Sequence, residues 1–134
     1  MIDYRHGNDL EVTAVIALLE ASTLAARRPV DQPERIAKML ANANLVITAW
    51  HESKLVGIAR SLSDFAYCTY LSDLAVDVAY QRQGIGKELM RRTQAAGAPA
   101  TLLLFAAPAA VGYYPHVGFE AGSGWLLQSN KTIL

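Results

Sequence analysis

The residues best placed to do chemistry lie in Val76-Asp77-Val78-Ala79-Tyr80-Gln81-Arg82-Gln83-Gly84-Ile85-Gly86-Lys87, where two glycines and two basic side chains fall at a strand-to-helix junction. Such a junction suits an anion. The first amides of a helix lack internal acceptors, and the helix dipole places about half a positive charge there. A phosphate can therefore take up donors that would otherwise need water. Glycine within a helix costs about 1 kcal/mol relative to alanine, so two in a first turn call for compensation, and bare backbone facing a diphosphate provides it. The competing reading is that Gly84 ends a loop while Arg82 and Lys87 face solvent. A dinucleotide fingerprint is excluded because Leu89 stands where its third glycine belongs, and a nucleotide-triphosphate loop because Glu88 follows Lys87 instead of Ser or Thr.

Other chemistries have less support. His6, His51 and His116 are dispersed, and the single cysteine, Cys68, has no second thiol to share a zinc or a disulfide, so no metal site is expected. Nor does any neighbouring motif supply Cys68 with an activating base. Twelve basic and twelve acidic residues cancel, which removes long-range attraction to nucleic acid or membrane surfaces as a binding principle. The chain of 134 residues is 52% hydrophobic and 18% charged, too apolar for a disordered segment, and contains no run of about 20 apolar residues. Met1-Ile2-Asp3-Tyr4-Arg5 carries neither a secretory signal's apolar block nor a transit peptide's arginine-rich bias, so a cytoplasmic location is expected. The length suits one domain over residues 1–134.

The elements that must position the turn follow from periodicity. Ile2 to Arg5 reads as an opening strand, and Asn8 or Asp9 offers a cap before a helix with Val12, Val15, Ile16 and Leu19 on one face. Asp31 offers a cap to a second helix with Pro33 in its first turn, Glu34 three residues on, and Ile36, Met39 and Leu40 on one face. Leu45 to Trp50 and Lys54 to Leu62, joined by His51-Glu52-Ser53, read as an antiparallel hairpin, and Tyr67 to Val78 as a third long strand. A helix follows from Gly84, with Gly97 placed to stop it near Pro99. The apolar run Thr101 to Ala106 has the look of a strand covered on both faces, which makes the strand–helix–strand unit a right-handed parallel crossover. Pro108 to Tyr114 is expected to form a short helix and Gly124 to Ser129 a closing strand. The whole is a mixed α/β sheet, antiparallel first and parallel in the middle.

In this arrangement the chain resembles the GNAT superfamily of N-acetyltransferases. Its signature is Gln or Arg, two residues, Gly, one residue, then Gly or Ala, and Gln81-Arg82-Gln83-Gly84-Ile85-Gly86 fits it. The Leu74-Ala75-Val76 strand before the turn and Tyr113-Tyr114-Pro115-His116-Val117-Gly118-Phe119 after it also look like family segments in family order.

The resemblance implies a GNAT-like acyl-CoA N-acyltransferase fold, with a central parallel pair splayed for coenzyme A. It implies acetyl-coenzyme A as co-substrate and direct attack by a primary amine of a small molecule or protein. Main-chain groups of Leu74 and Val76 would hold the pantetheine arm, and the amides of Arg82, Gln83, Gly84, Ile85, Gly86 and Lys87 the pyrophosphate. Tyr114 stands at the position of the family's acid, where it would protonate the departing thiolate; otherwise its ring simply packs. A glutamate common two residues before the Leu74 position is replaced by Ser72, leaving Asp73 either as a base, directly or through water, or as a residue that only orients the strand. Ala107 replaces a frequent asparagine seven residues before the tyrosine. These departures keep a second reading open, a non-catalytic acyl-CoA-binding sensor or interaction domain. The Arg27-Arg28 pair reads either as an attractor for an acidic acceptor or as a solvated charge pair. Exposed sheet edges also leave room for a homodimer.

Overall fold

A computed structural model describes residues 1–134. Five strands form one sheet in sequence order: β1 (Asp3–His6), β2 (Leu45–His51), β3 (Lys54–Ser63), β4 (Cys68–Val76) and β5 (Thr101–Leu103). The first four pair antiparallel and β4 pairs with β5 in parallel. Helices α1 (Val12–Ala21) and α2 (Pro33–Ala41) cover one face, and α3 (Ile85–Gly97) covers the other.

The helical spacing decides which residues meet the sheet. From α1, Val15, Leu18 and Leu19 pack with Ile36 and Leu40 of α2 against Val46, Ile58 and Ala75. On the opposite face, Ile85, Leu89 and Met90 of α3 pack on Leu45, Ile47, Ala49, Ala59 and Leu71. With both faces covered, β2 buries five consecutive residues, Leu45 to Ala49. Leu19, Leu45 and Leu89 are each less than 2% exposed, a burial that stabilises by about 2 kcal/mol per side chain. The last residue of α3, Gly97, lies so close to β4 that a Cβ there would stand 2.7 Å from Thr69 Oγ1. Close approach of helix to sheet therefore requires glycine at this position, whereas the helix end does not, since Gly97 has no left-handed φ and the C-cap is Ala98.

The caps differ from expectation. Neither Asn8, Asp9 nor Asp31 caps a helix: α1 starts after Glu11 and α2 after Gln32, in neither case with a side-chain cap bond. Asn8 instead donates from Nδ2 to the carbonyls of Leu40 and Ala43, both at 2.8 Å, so it ties the chain before α1 to the C-terminal end of α2. The short segment before α2 turns without placing Asp31 over the first amides.

The C-terminal third departs further. Only Thr101–Leu103 pair with β4, so β5 is shorter than the apolar run. Pro108 to Tyr114 forms no α-helix; two 3-10 turns, Pro108–Ala110 and Tyr114–Val117, stand there instead. Gly124 to Ser129 forms no strand, and Trp125, Leu126 and Leu127 are exposed. Apolar composition favours a strand only where an edge is available to pair and a face to cover it.

Candidate active site

Register produces the site. Arg60 of β3 lies opposite Asp73 and Ser61 opposite Leu71, so Ser72 is an extra residue, a β-bulge in the middle of β4. Bulges bend the strand that carries them and increase its twist. β5 pairs with β4 only at Cys68, Thr69 and Tyr70, before the bulge. Beyond it, β4 remains paired with β3 through Val76 but has no partner on its other edge. The two parallel strands thus leave a gap whose wall is the main chain of Leu71 to Val76.

The glycine-rich turn closes one end of this gap. Asp77 accepts a 2.9 Å bond from the Ala79 amide and pairs with Lys54 Nζ at 3.4 Å, which anchors the chain leaving β4 to the β2–β3 hairpin. His51 Nδ1 and the Tyr80 hydroxyl are 2.8 Å apart, a second tie to the same hairpin. Arg82 and Gly84 take positive φ values of 64° and 83°. Gly84 is the N-cap of α3 in the left-handed region, with open space where a Cβ would point. No amide from Arg82 to Lys87 donates to another backbone group; the first helical bond runs from Glu88 N to Gly84 O. A row of unpaired donors, electropositive by the dipole, is aimed out of the fold.

The structure brings Leu74, Val76 and this turn together. A Cβ on Gly86 would meet Val76 Cγ2 at 3.8 Å, and Gln81 Nε2 donates to the Val76 carbonyl at 2.9 Å. Side chains of Leu74 and Val76 pack on the α3 side of the sheet. Lys87 also lines a cavity of about 620 Å³ that follows α3 past Met90, Arg91 and Gln94 to Leu102 and Phe119.

Tyr114 joins the same side. It opens the 3-10 turn Tyr114–Val117 and packs edge-to-face on Phe119, with ring centroids 5.5 Å apart, and on the more exposed Tyr113 at 5.4 Å. Burial pushes its phenol above the ordinary value of 10, with the neighbouring Tyr113 adding to the shift. The proton is therefore retained through neutral and mildly alkaline pH.

Asp73 is held apart from these residues. Its side chain is 5% exposed on the α1/α2 side, where Oδ1 accepts from Arg28 Nε at 2.6 Å and Oδ2 from Arg60 Nε at 2.5 Å. Arg60 also donates to Ser72 Oγ at 2.9 Å, and Arg28 to the Ser72 carbonyl at 2.7 Å. Both carboxylate oxygens are thus engaged by guanidinium donors, which leaves neither turned toward the gap between β4 and β5. The pairing also corrects the view of Arg28 as a solvated charge, since its guanidinium ties the α1–α2 connection to the β4 bulge. Arg60, which buries a charge in the middle of β3, was not singled out in the sequence. Its only signal there was an arginine interrupting the apolar run Leu55 to Leu62.

No cluster of three or more His, Cys, Asp or Glu side chains is disposed to hold a metal, and no helix is long and apolar enough to cross a membrane.

Comparison with known proteins converges on one family. Residues 19–125 match the family model of the acetyltransferase (GNAT) domain. Probable acetyltransferase TAP2 of Glycine max is 31% identical over 134 aligned positions, which cover 90% of this chain and 52% of that protein; the chain thus spans about half the length of this relative. Among solved structures, a GNAT-family acetyltransferase from Streptococcus pneumoniae TIGR4 superposes with a TM-score of 0.80 at 24% identity, covering 98% of this chain and all of that one. The aminoglycoside N-acetyltransferase AAC(6')-Iy, solved with coenzyme A, superposes with a TM-score of 0.75 at 16% identity over 98% and 96% of the two chains. At these identities the structural likenesses establish the fold.

Proposed function

The chain belongs to the GNAT family of acetyltransferases, and from that premise we propose that it moves an acetyl group from acetyl-coenzyme A to a primary amine by direct attack. The observation that carries the reading is the splayed β4–β5 pair ending at a helix whose first amides have no internal acceptor. The amides of Arg82, Gln83, Gly84, Ile85, Gly86 and Lys87 would hold the pyrophosphate, with Arg82 and Lys87 adding charge at the rim. The main chain of Leu74 and Val76 would hold the pantetheine arm, and an amide there would polarise the thioester carbonyl. Gln81 would give up its bond to the Val76 carbonyl as the arm enters.

As the neutral amine adds to the carbonyl carbon, the C–S bond breaks and Tyr114 donates its proton to the leaving thiolate. A phenol is roughly matched in pKa to a thiol, and the raised value keeps it in the acid form. Asp73 takes no part in proton transfer in this reading. The ammonium loses one proton to water before attack, so the rate rises with pH toward the acceptor's own pKa, and the nitrogen releases a second as the amide forms, which returns the Tyr114 phenolate to the phenol through solvent. The occupied state of Asp73 also favours a second reading, a module that binds acyl-coenzyme A without turning it over.

Calorimetry with coenzyme A and acetyl-coenzyme A tests the shared premise. Wild type is expected to bind both, and Gly84→Glu, which puts a carboxylate and a strained left-handed residue against the turn, to bind neither. Binding by wild type without thiol release across an amine panel would select the module; no uptake by well-folded protein would refute both.

A further inference from the structure

Arg28, Arg60 and Asp73 form a network of two cations and one anion, and its charge does not balance. Arg60 alone neutralises Asp73: its side chain is 9% exposed, its Nε holds Oδ2, and its other nitrogens reach Ser72 Oγ and, at 3.4 Å, the Met39 carbonyl. Arg28 is the surplus cation. Its side chain is 22% exposed, it makes no ion pair other than that with Asp73, and its Nη1 and Nη2 donate to the carbonyls of Arg27 and Ser72. A guanidinium has five N–H donors. Three are used here, one on each nitrogen, which leaves one N–H on each of Nη1 and Nη2 without a protein acceptor.

Position gives this surplus its meaning. Arg28 grips the bulge at Ser72, two residues before Leu74 on the edge that borders the gap. The turn at α3 lies on the opposite side of the sheet, against Val76. A carrier entering over that turn leaves the Arg28 side as the approach for the second substrate. This step rests on the proposed function. We propose that Arg28 makes the acceptor pocket selective for amines that carry a carboxylate or similar anion, and that it rejects polyamines and other polycations. Asp73, the acid beside the bulge, is already shared between two arginines and so does not offset the repulsion of a second ammonium. A planar guanidinium with an unused donor on each terminal nitrogen suits a carboxylate better than it suits a second cation.

The test uses pairs of amines matched in length: glycine against ethylenediamine, β-alanine against 1,3-diaminopropane, and 4-aminobutyrate against 1,4-diaminobutane. Thiol release from acetyl-coenzyme A is followed at low ionic strength. The amino acid of at least one pair should exceed its diamine in kcat/KM by about tenfold or more, as a partly exposed charge pair allows, and the ratio should shrink as salt is added. Arg28→Gln should collapse the ratio and raise the diamine rate, while Arg28→Lys should keep its sign. Asp73 remains paired with Arg60 in both variants, and the salt dependence of wild type stands by itself if either folds poorly. Equal or greater rates with the diamines, a ratio unchanged in Arg28→Gln, or coenzyme A uptake without turnover of any pair would overturn the inference. Calorimetry with coenzyme A runs as a separate arm. Failure there removes the acetyltransferase reading, whereas normal uptake with diamine preference removes only the role of Arg28.

Discussion

Replacing Asp73 by alanine separates a residue that holds the fold from one that handles protons. In the native protein its carboxylate, 5% exposed, lies within 2.6 Å of one guanidinium nitrogen and 2.5 Å of another. Removal leaves two cations facing each other, one of them on a side chain only 9% exposed. Deleting one partner of a buried pair costs about 3–5 kcal/mol. Unfolding entropy of about 2.1 cal/mol/K per residue converts this, for 134 residues, into a fall in Tm of about 10 to 18 °C. Asp73→Asn keeps one acceptor oxygen and should fall less. The assay pairs differential scanning fluorimetry with acetyl transfer measured well below the lower Tm. If Asp73 only braces the bulge, Asp73→Asn retains its rate within about tenfold and the shape of its pH profile. A general base is worth about a hundredfold or more. A variant with native Tm, a hundredfold slower rate and a lost acidic limb would refute the bracing role.

Two further outcomes follow from the same geometry. Tyr114→Phe should bind coenzyme A as wild type does, since the ring packing on Phe119 is kept, yet lose about a hundredfold or more in kcat. In wild type the alkaline limb from this phenol should lie above pH 10, because burial raises its pKa and the acid form is lost only beyond the raised value; titration of the pH–rate profile checks both statements. Gly97→Ala, harmless for a helix by propensity, should destabilise by about 1–3 kcal/mol because the new methyl meets Thr69 Oγ1, and chemical denaturation would show it as a lower midpoint with an unchanged slope.

Much of the architecture was legible in residue patterns because those patterns report local physics. Apolar residues three and four apart in α1 could bury one face only as a helix, and the segments of β2 and β3, rich in apolar and β-branched residues either side of a short turn, fit a hairpin. The turn was legible for a related reason: Gly84 and Gly86 at a strand-to-helix junction leave amides unpaired whatever surrounds them. Caps were less legible, since Asn8 has two uses for its amide and chose carbonyls 32 and 35 residues away.

Strand existence at the C-terminus was a matter of partners. Leu126 and Leu127 have the composition for a strand, yet their segment pairs with none of the sheet's edges and its side chains stay exposed. The charge network is the clearest case of information carried only by tertiary structure. By itself the sequence determined that Asp73 follows Ser72 on a strand and that Arg28 follows a helix. Only the β3–β4 register, with its extra residue at Ser72, put Asp73 opposite Arg60 and brought Arg28 across 45 residues of chain to share it. Coulombic partners are chosen by distance in space and by the water excluded around them, and neither quantity is encoded in neighbouring residues.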